Sequence, residues 1–312
     1  MIVVVTPNPA IDITLTVDRL EPGHTHRVTP GVHRAGGKGI NVARVLTIMG
    51  ADAVAIAPVG SSDRAWFAAD LNGIPVDFLD VPGSVRQSTA VVEPHQTTVF
   101  NETGTALDDA VWEELLVRVA ARLDSADCLV ISGSVPPGCS PALYGNLVAL
   151  GRDREIPVVA DATGSALRFA AEAGATVLKP NAAELTETTG ETDPVAGARA
   201  LQARGAGLIL VSLGEDGMIA VPRDQRDPLW SAHLGRVLSG NPTGAGDAAV
   251  AAIASALATG TTPVDTRTLL SRATAWSAAA VLEPLAGSVH PTRVAELEAE
   301  LEITVTPRED LS

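Results

Sequence analysis

Aromatic side chains make up only 3% of the 312 residues, cysteine occurs twice, and 22 basic residues face 37 acidic ones. Each shortage excludes something. With so few rings, the core has to be built from Ala, Val, Leu and Ile. Cys128 and Cys139 form no CxxC pair, so neither a disulfide framework nor a thiolate metal cage is indicated, and both read as buried structural thiols. A net charge of −15 argues against a broad footprint on nucleic acid or on an anionic membrane, since each needs a positive field. An anionic small substrate then requires a local basic pocket. No run approaches the ~18 apolar residues of a membrane helix, and the N-terminal MIVVVTPNPAID lacks the basic flank of a signal peptide. The expectation is a cytoplasmic protein without nucleic-acid or membrane partners.

What is present has the balance of a soluble globular protein of enzyme size, 46% hydrophobic and 19% charged. The length admits one large α/β domain or two average ones. Short apolar, β-branched runs recur at 2–6, 53–60, 128–133, 157–162, 176–181 and 208–214, with helical stretches between them. That alternation predicts a mostly parallel sheet covered on both faces, with ligands at the turns that end its strands. Two segments, 11–34 and 85–103, instead alternate apolar and polar residues, the period of half-exposed antiparallel strands. They read as a β lid projecting from an α/β core made of 1–10, 35–84 and 104–312. One face of such a lid is uncovered in a monomer, so a homodimer through it is expected. Residues 292–312 read as a short acidic helix and a polar tail. Of six histidines, His24, His26, His33 and His95 fall in the lid as solvent-exposed residues, without ligand spacing.

Several stretches carry chemistry. In NPTGAGDAAVAA (241–252), the backbone N–H groups of Gly244, Ala245 and Gly246 open a helix and form an anion site, because unpaired donors and the helix dipole both favour negative charge. Asp247 in that first turn can take a proton from a hydroxyl nucleophile while the amides face a transferring phosphoryl group. The plain alternative is a connecting turn and an Asp that complements the dipole.

In AGGKGINVARVL (35–46), glycines let backbone approach a ligand, Lys38 offers charge and Asn41 hydrogen-bonds hydroxyls. It is not a Walker A loop: Val32 and Gly39 stand where that loop needs Gly and Ser or Thr. A turn with a solvated lysine is the alternative.

VLKPNAAEL (177–185) ends a strand in Lys179, Asn181 and Glu184; the last two, at i and i+3, can order water around a phosphate-bound Mg²⁺ or simply form a capping box. VSLGEDG (211–217) is a wall for a nucleotide or a hairpin turn, and SGSVPPG (132–138), with Ser134, is a substrate floor or a turn.

Taken in order, NPAID (8–12), GGKGIN (36–41), SGSVPPG, KPNAAE (179–184), VSLGEDG and TGAGD (243–247) resemble the PfkB family of ribokinase-like carbohydrate kinases over nearly the whole chain, and TPNPAID with GGKGINVARVL resembles its hexose-phosphate branch. The resemblance implies a three-layer α/β/α sandwich with a small β lid. It implies ATP and Mg²⁺ as cofactors, with a monovalent cation as a further candidate. Asp247 becomes the base and Gly244 to Gly246 the anion hole. Asp12, Gly36, Gly37, Lys38 and Asn41 hold the sugar, and Arg86 grips a phosphate already on the substrate. Lys179, Asn181 and Glu184 serve ATP phosphates and Mg²⁺, while Ser212, Gly214, Gly217 and Thr243 line the nucleotide.

The implied reaction is phosphorylation of fructose 1-phosphate to fructose 1,6-bisphosphate, with tagatose 6-phosphate or fructose 6-phosphate as alternative acceptors. Two departures bear on ligands. Arg86-Gln87-Ser88-Thr89-Ala90 lacks the Asn and second Lys that many 1-phosphate-specific members carry, and Asn241-Pro242 replaces the more usual Ser-Thr or Asp-Thr at a nucleotide or monovalent-cation contact. A non-catalytic sugar-phosphate and ATP sensor has no need of the base in TGAGD. A Rossmann oxidoreductase lacks its G-x-G-x-x-G after the first strand.

Overall fold

Alternation along the first strand sends Ile2 and Val4 to one face and Val3 and Val5 to the other, and all four are buried. A strand apolar on both sides belongs in the middle of a sheet covered on both faces. The computed structural model describes residues 1–94, 96–260 and 265–306, so His95 lies outside the described residues.

The strands are β1 (Ile2–Val5), β2 (Ala10–Thr16), β3 (Val32–Gly36), β4 (Ala53–Gly60), β5 (Val76–Val81), β6 (Arg86–Val92), β7 (Thr97–Asn101), β8 (Cys128–Ser132), β9 (Val158–Asp161), β10 (Val177–Leu178), β11 (Leu208–Ser212), β12 (Met218–Val221), β13 (Leu229–Leu234) and β14 (Leu301–Thr306). Ten of them form one sheet in the order β14-β13-β12-β11-β10-β9-β8-β1-β4-β5. From β11 to β5 every pairing is parallel, and β12, β13 and β14 add an antiparallel end.

All six expected strands are present, and β5, β12, β13 and β14 come in addition. The segment read as a polar tail is a strand as far as Thr306, paired with β13; residues 307–312 lie outside the described residues. In the edge strand β5, Asp77 and Asp80 interrupt the apolar run, and their carboxylates pair with Arg118, Arg122 and Arg64.

The helices are α1 (Lys38–Ile48), α2 (Arg64–Asp70), α3 (Asp109–Leu123), α4 (Ala142–Arg152), α5 (Gly164–Glu172), α6 (Ala182–Thr189), α7 (Pro194–Arg204), α8 (Ala245–Leu257), α9 (Thr266–Val281) and α10 (Pro291–Glu300). Residues of α1, α8, α9 and α10 build the core on one face of the sheet, and residues of α3, α4, α5 and α7 build that on the other. Alanine replaces the missing aromatics. Ala248 through Ala254 of α8 are buried all round, and their small side chains let the helix pack closely on α1 and α9. Cys128 and Cys139 are free and buried, and burial pushes the Cys139 thiol up to about 12. Among the described residues no helix is long and apolar enough to cross a membrane.

The remaining four strands form a second sheet, β3-β2-β6-β7. It is mixed rather than antiparallel throughout: the β2/β3 and β6/β7 pairs are antiparallel, but β2 and β6 run parallel from Ala10↔Arg86 to Thr16↔Val92. The two pairs come from distant parts of the chain, separated by β4 and β5, so no hairpin sets their mutual direction. Between β2 and β3 the chain is irregular, with His24 exposed and His26 bonded to the Glu21 backbone, and His33 is exposed within β3.

Candidate active site

The C-terminal ends of β8, β9, β10 and β11 deliver Ser134, Asp161, Lys179 and Ser212 to one cavity of about 880 Å³, and the second sheet closes its other side. At its floor begins α8. Gly244 caps that helix at φ 87, a left-handed conformation. A Cβ there would also lie 2.9 Å from the Cα of Ala286, so glycine is needed twice over. The Ala245 N–H turns back to the Pro242 carbonyl at 3.1 Å. The amides of Gly244, Gly246 and Asp247 make no hydrogen bond among the described residues. The donors facing the cavity are therefore these three, and Ala245 is spent on the turn. Gly246 keeps backbone open beside Lys179, whose Nζ would lie 3.4 Å from an added Cβ.

Asp247 is only 6% exposed. Asn41 donates one Nδ2 hydrogen to Asp247 Oδ2 at 3.0 Å and the other to Asp12 Oδ2 at 3.1 Å, fixing both carboxyls. Burial pushes the Asp247 pKa up to about 7, with Lys38 pulling it down and Asp161 pushing it up. Burial likewise raises Asp12, whose Oδ2 also accepts the Gly37 N–H at 3.4 Å. Gly36 does not line the cavity. Its missing side chain makes room for Asp12, whose Oδ2 would be 2.1 Å from a Cβ.

Lys38 and Lys179 are the only lysines in the chain, and both reach Asp161, at 3.3 and 3.7 Å. Burial opposes the Asp161 charge, but the two ammonium groups outweigh it and hold the carboxyl below its usual value. Burial opposes the Lys38 charge too, and Asp161, Glu184 and Asp247 overcome it, holding Lys38 above the usual lysine value. Asp161 is a site residue that sequence reading missed. The available signal was its position as the one carboxylate ending the buried run PVVADA.

Asn181 and Glu184 do form the capping box, with Glu184 N–H to Asn181 Oδ1 at 2.8 Å and Asn181 N–H to Glu184 Oε2 at 2.9 Å. The other carboxylate oxygen of Glu184 stays 3.5 Å from Lys38 Nζ. The box thus aims Glu184 into the cavity. Among the described residues no three His, Cys, Asp or Glu side chains gather to hold a metal. One Asn and one Glu fit a Mg²⁺ carried on phosphates and retaining its waters.

At the far end Arg86 donates to the Asn8 carbonyl at 3.3 Å and to the Glu102 carbonyl at 3.2 Å. Burial lowers its pKa, while Asp12 and Glu102 support the charge. Asn8, buried and also missed, donates to Ser134 Oγ at 2.9 Å and ties the floor to the segment after β1. Ser88, Thr97, Val99 and Asn101 of the second sheet line the cavity beside Arg86. A second cavity of about 580 Å³ adjoins, sharing Asn181, Ser212, Pro242 and Gly246 with the first. It takes in Gly214, Gly217 and Ala245 and a more apolar wall from Met218, Leu234, Ala249, Ala278 and Val281. Thr243 lines the first cavity. The arrangement is a more polar chamber and a smaller, more apolar one, meeting at unpaired amides, which suits an anion linking an apolar ring to a polyhydroxylated molecule.

Comparison with known proteins agrees with this geometry. The family model described as pfkB family carbohydrate kinase matches residues 3–293. The 1-phosphofructokinase of Xanthomonas campestris pv. campestris is 36% identical over 269 residues, 82% of this chain and 83% of that protein. Phosphofructokinase-2 of Escherichia coli, solved in complex with potassium, superposes with a TM-score of 0.84 at 27% identity, over 96% of this chain and 98% of that one. The same enzyme has been solved with fructose-6-phosphate and in a tetrameric inhibited form. A possible 1-phosphofructokinase of Thermotoga maritima shares the fold, with a TM-score of 0.86 at 23% identity over 98% and 99% of the two chains. A match of this extent settles the lineage: the chain belongs to the pfkB family of carbohydrate kinases and is an ATP-dependent sugar kinase.

Proposed function

We propose that the chain phosphorylates a phosphorylated ketohexose, fructose 1-phosphate, to give fructose 1,6-bisphosphate. The observation that carries this reading is the pairing of Asp247, held by Asn41, with unpaired helix-terminal amides at one end of the cavity and Arg86 at the other. Asp247 takes the proton of the acceptor hydroxyl; a carboxyl with a pKa near 7 is an effective base at neutral pH. The amides of Gly244 and Gly246, with Lys38 and Lys179, face the charge that develops on the phosphoryl group in flight. Mg²⁺ held through Asn181 and Glu184 would draw further charge from the nucleotide phosphates. Asp12 and Asn41 orient the sugar hydroxyls, and Arg86 holds the phosphate already present. Gly214, Gly217 and Ser212 border the nucleotide in the second chamber. The second sheet acts as the lid, excluding water from the transfer.

The other face of this lid bears Ile13, Leu15 and Phe100, the last 58% exposed. It is the surface through which we propose that two copies pair.

Fructose 6-phosphate is the second reading, supported by the likeness to Escherichia coli phosphofructokinase-2 solved with that sugar; tagatose 6-phosphate differs from it by one hydroxyl configuration. The test is kcat/KM with Mg-ATP across fructose 1-phosphate, fructose 6-phosphate, tagatose 6-phosphate, fructose and ribose. Fructose 1-phosphate should exceed fructose by orders of magnitude. A free sugar as the best acceptor would overturn the phosphate-clamp role of Arg86, and no turnover of any sugar would favour a sensor.

A further inference from the structure

The segment between α9 and α10 packs on two parts of the site. Its Ala286 Cα would lie 2.9 Å from a Cβ on Gly244, and a Cβ on its Gly287 would lie 2.8 Å from Asn41 Oδ1. Whatever holds this loop therefore also holds the anion hole and the residue that orients Asp247. The relative from Escherichia coli has been solved with potassium.

We propose that in this chain Asn241 and Arg34 do the work of a monovalent cation at this loop, and that the protein neither needs nor specifically binds one there. Asn241 is 4% exposed. Its Oδ1 accepts the Thr243 N–H at 3.0 Å, and its Nδ2 donates to the Pro284 carbonyl at 3.0 Å. The amide cannot be turned around, because Thr243 offers only a donor and Pro284 only an acceptor. Its own N–H donates to the Val281 carbonyl at 2.8 Å. A second carbonyl of the loop, Ala286, receives Arg34 Nη1 at 3.1 Å, and the same nitrogen donates to Ser288 Oγ at 2.9 Å.

A cation here would need carbonyl oxygens as ligands. Two of them are already met by N–H donors, one of which carries a fixed positive charge that repels a second cation. An aspartate at 241 would reverse the situation: a carboxylate oxygen would face the Pro284 carbonyl with no hydrogen between them, a repulsion that a bound cation would relieve. The inference rests on the anion-hole reading of the loop but not on the identity of the sugar.

The experiment compares thermal unfolding of the wild-type protein and of Asn241→Asp in potassium chloride and in choline chloride at equal ionic strength, with Mg-ATP affinity by calorimetry as a second readout. Neither measurement involves an acceptor, so an error about the sugar leaves the test intact. The wild type should melt at the same temperature and bind Mg-ATP equally in both salts. Asn241→Asp should lose several degrees of Tm in choline chloride and recover them in potassium chloride. A potassium-specific rise in wild-type Tm or affinity overturns the proposal, as does a folded Asn241→Asp that is indifferent to potassium. Should that variant fail to fold, the wild-type comparison decides alone.

Discussion

Asn41 and Asp247 are 206 positions apart in the chain, yet the Asn41 amide donates to Asp247 Oδ2 at 3.0 Å in a buried setting. The bond fixes the carboxyl without neutralising it, and burial raises its pKa from 3.8 to about 7. The folded state therefore holds this proton more tightly than the unfolded chain. The stability it confers is full below pH 3.8, declines as pH rises towards 7 and stays low above that. Asp247→Asn, which cannot ionise and can still accept from Asn41, should stabilise the protein at pH 8 by on the order of 2–4 kcal/mol while lowering kcat by about 10²–10⁴. Thermal melts at pH 8 and steady-state kinetics on one preparation check both, and a lower Tm would remove the buried-charge account.

The same carboxyl should set the pH dependence of catalysis. A base has to be ionised to act, so kcat/KM should rise with pH through a limb near 7 and level off above it. A limb near 4 instead would mean that the free enzyme does not keep Asp247 in the environment described.

Asp161 holds Lys38 and Lys179 apart and in place. Its lowered pKa stabilises the fold above its ordinary value of 3.8, and that contribution is lost as the pH falls through the folded value. Asp161→Ala leaves two ammonium groups without their shared counter-ion and should destabilise the protein by about 3–5 kcal/mol. Asp161→Asn should keep the shape better and reveal itself in a higher KM for Mg-ATP. Denaturant melts and nucleotide titration distinguish the two effects; an unchanged KM in Asp161→Asn would confine the residue to a structural role.

Arg86→Ala should raise KM for the phosphosugar by about 10–100-fold, with little change in KM for Mg-ATP, because Arg86 lines the first cavity beside the second sheet and not the second cavity proposed for the nucleotide. The preference for a phosphorylated over a free sugar should shrink by the same factor. An unchanged KM would place the substrate phosphate elsewhere.

The two glycines of the proposed anion hole should fail in different ways. Gly244→Ala meets both a positive φ and the backbone of Ala286, and should cost stability by about 1–3 kcal/mol. Gly246 lies in the helix, where alanine is favoured by about 1 kcal/mol. An alanine there should leave the melt unchanged or improved while its methyl, 3.4 Å from Lys179 Nζ, crowds the phosphoryl group and lowers kcat. Comparing Tm and kcat for the pair tests the assignment.

Much of this was legible in the residue order, because apolar runs such as 2–6 and 128–133 have to be buried on both faces and glycine next to a lone acid has few physical uses. Six strands of the parallel sheet, the Gly-Ala-Gly-Asp helix start and the capping box of Asn181 and Glu184 follow from such local rules. Asp161 escaped because one acid at a strand end looks like any other until two lysines from separate elements converge on it. The strands β5 and β14 escaped because charged or mixed edge strands carry little periodic signal, and the parallel β2/β6 pairing because register between distant segments has no local signature. Composition and periodicity by themselves determined the layered α/β architecture and the chemistry available at each strand end. Only the tertiary structure decided which charges meet, and hence that Asp247 has a pKa near 7 and that Asn241 faces the Pro284 carbonyl; each depends on burial and on distances of about 3 Å between residues far apart in the chain.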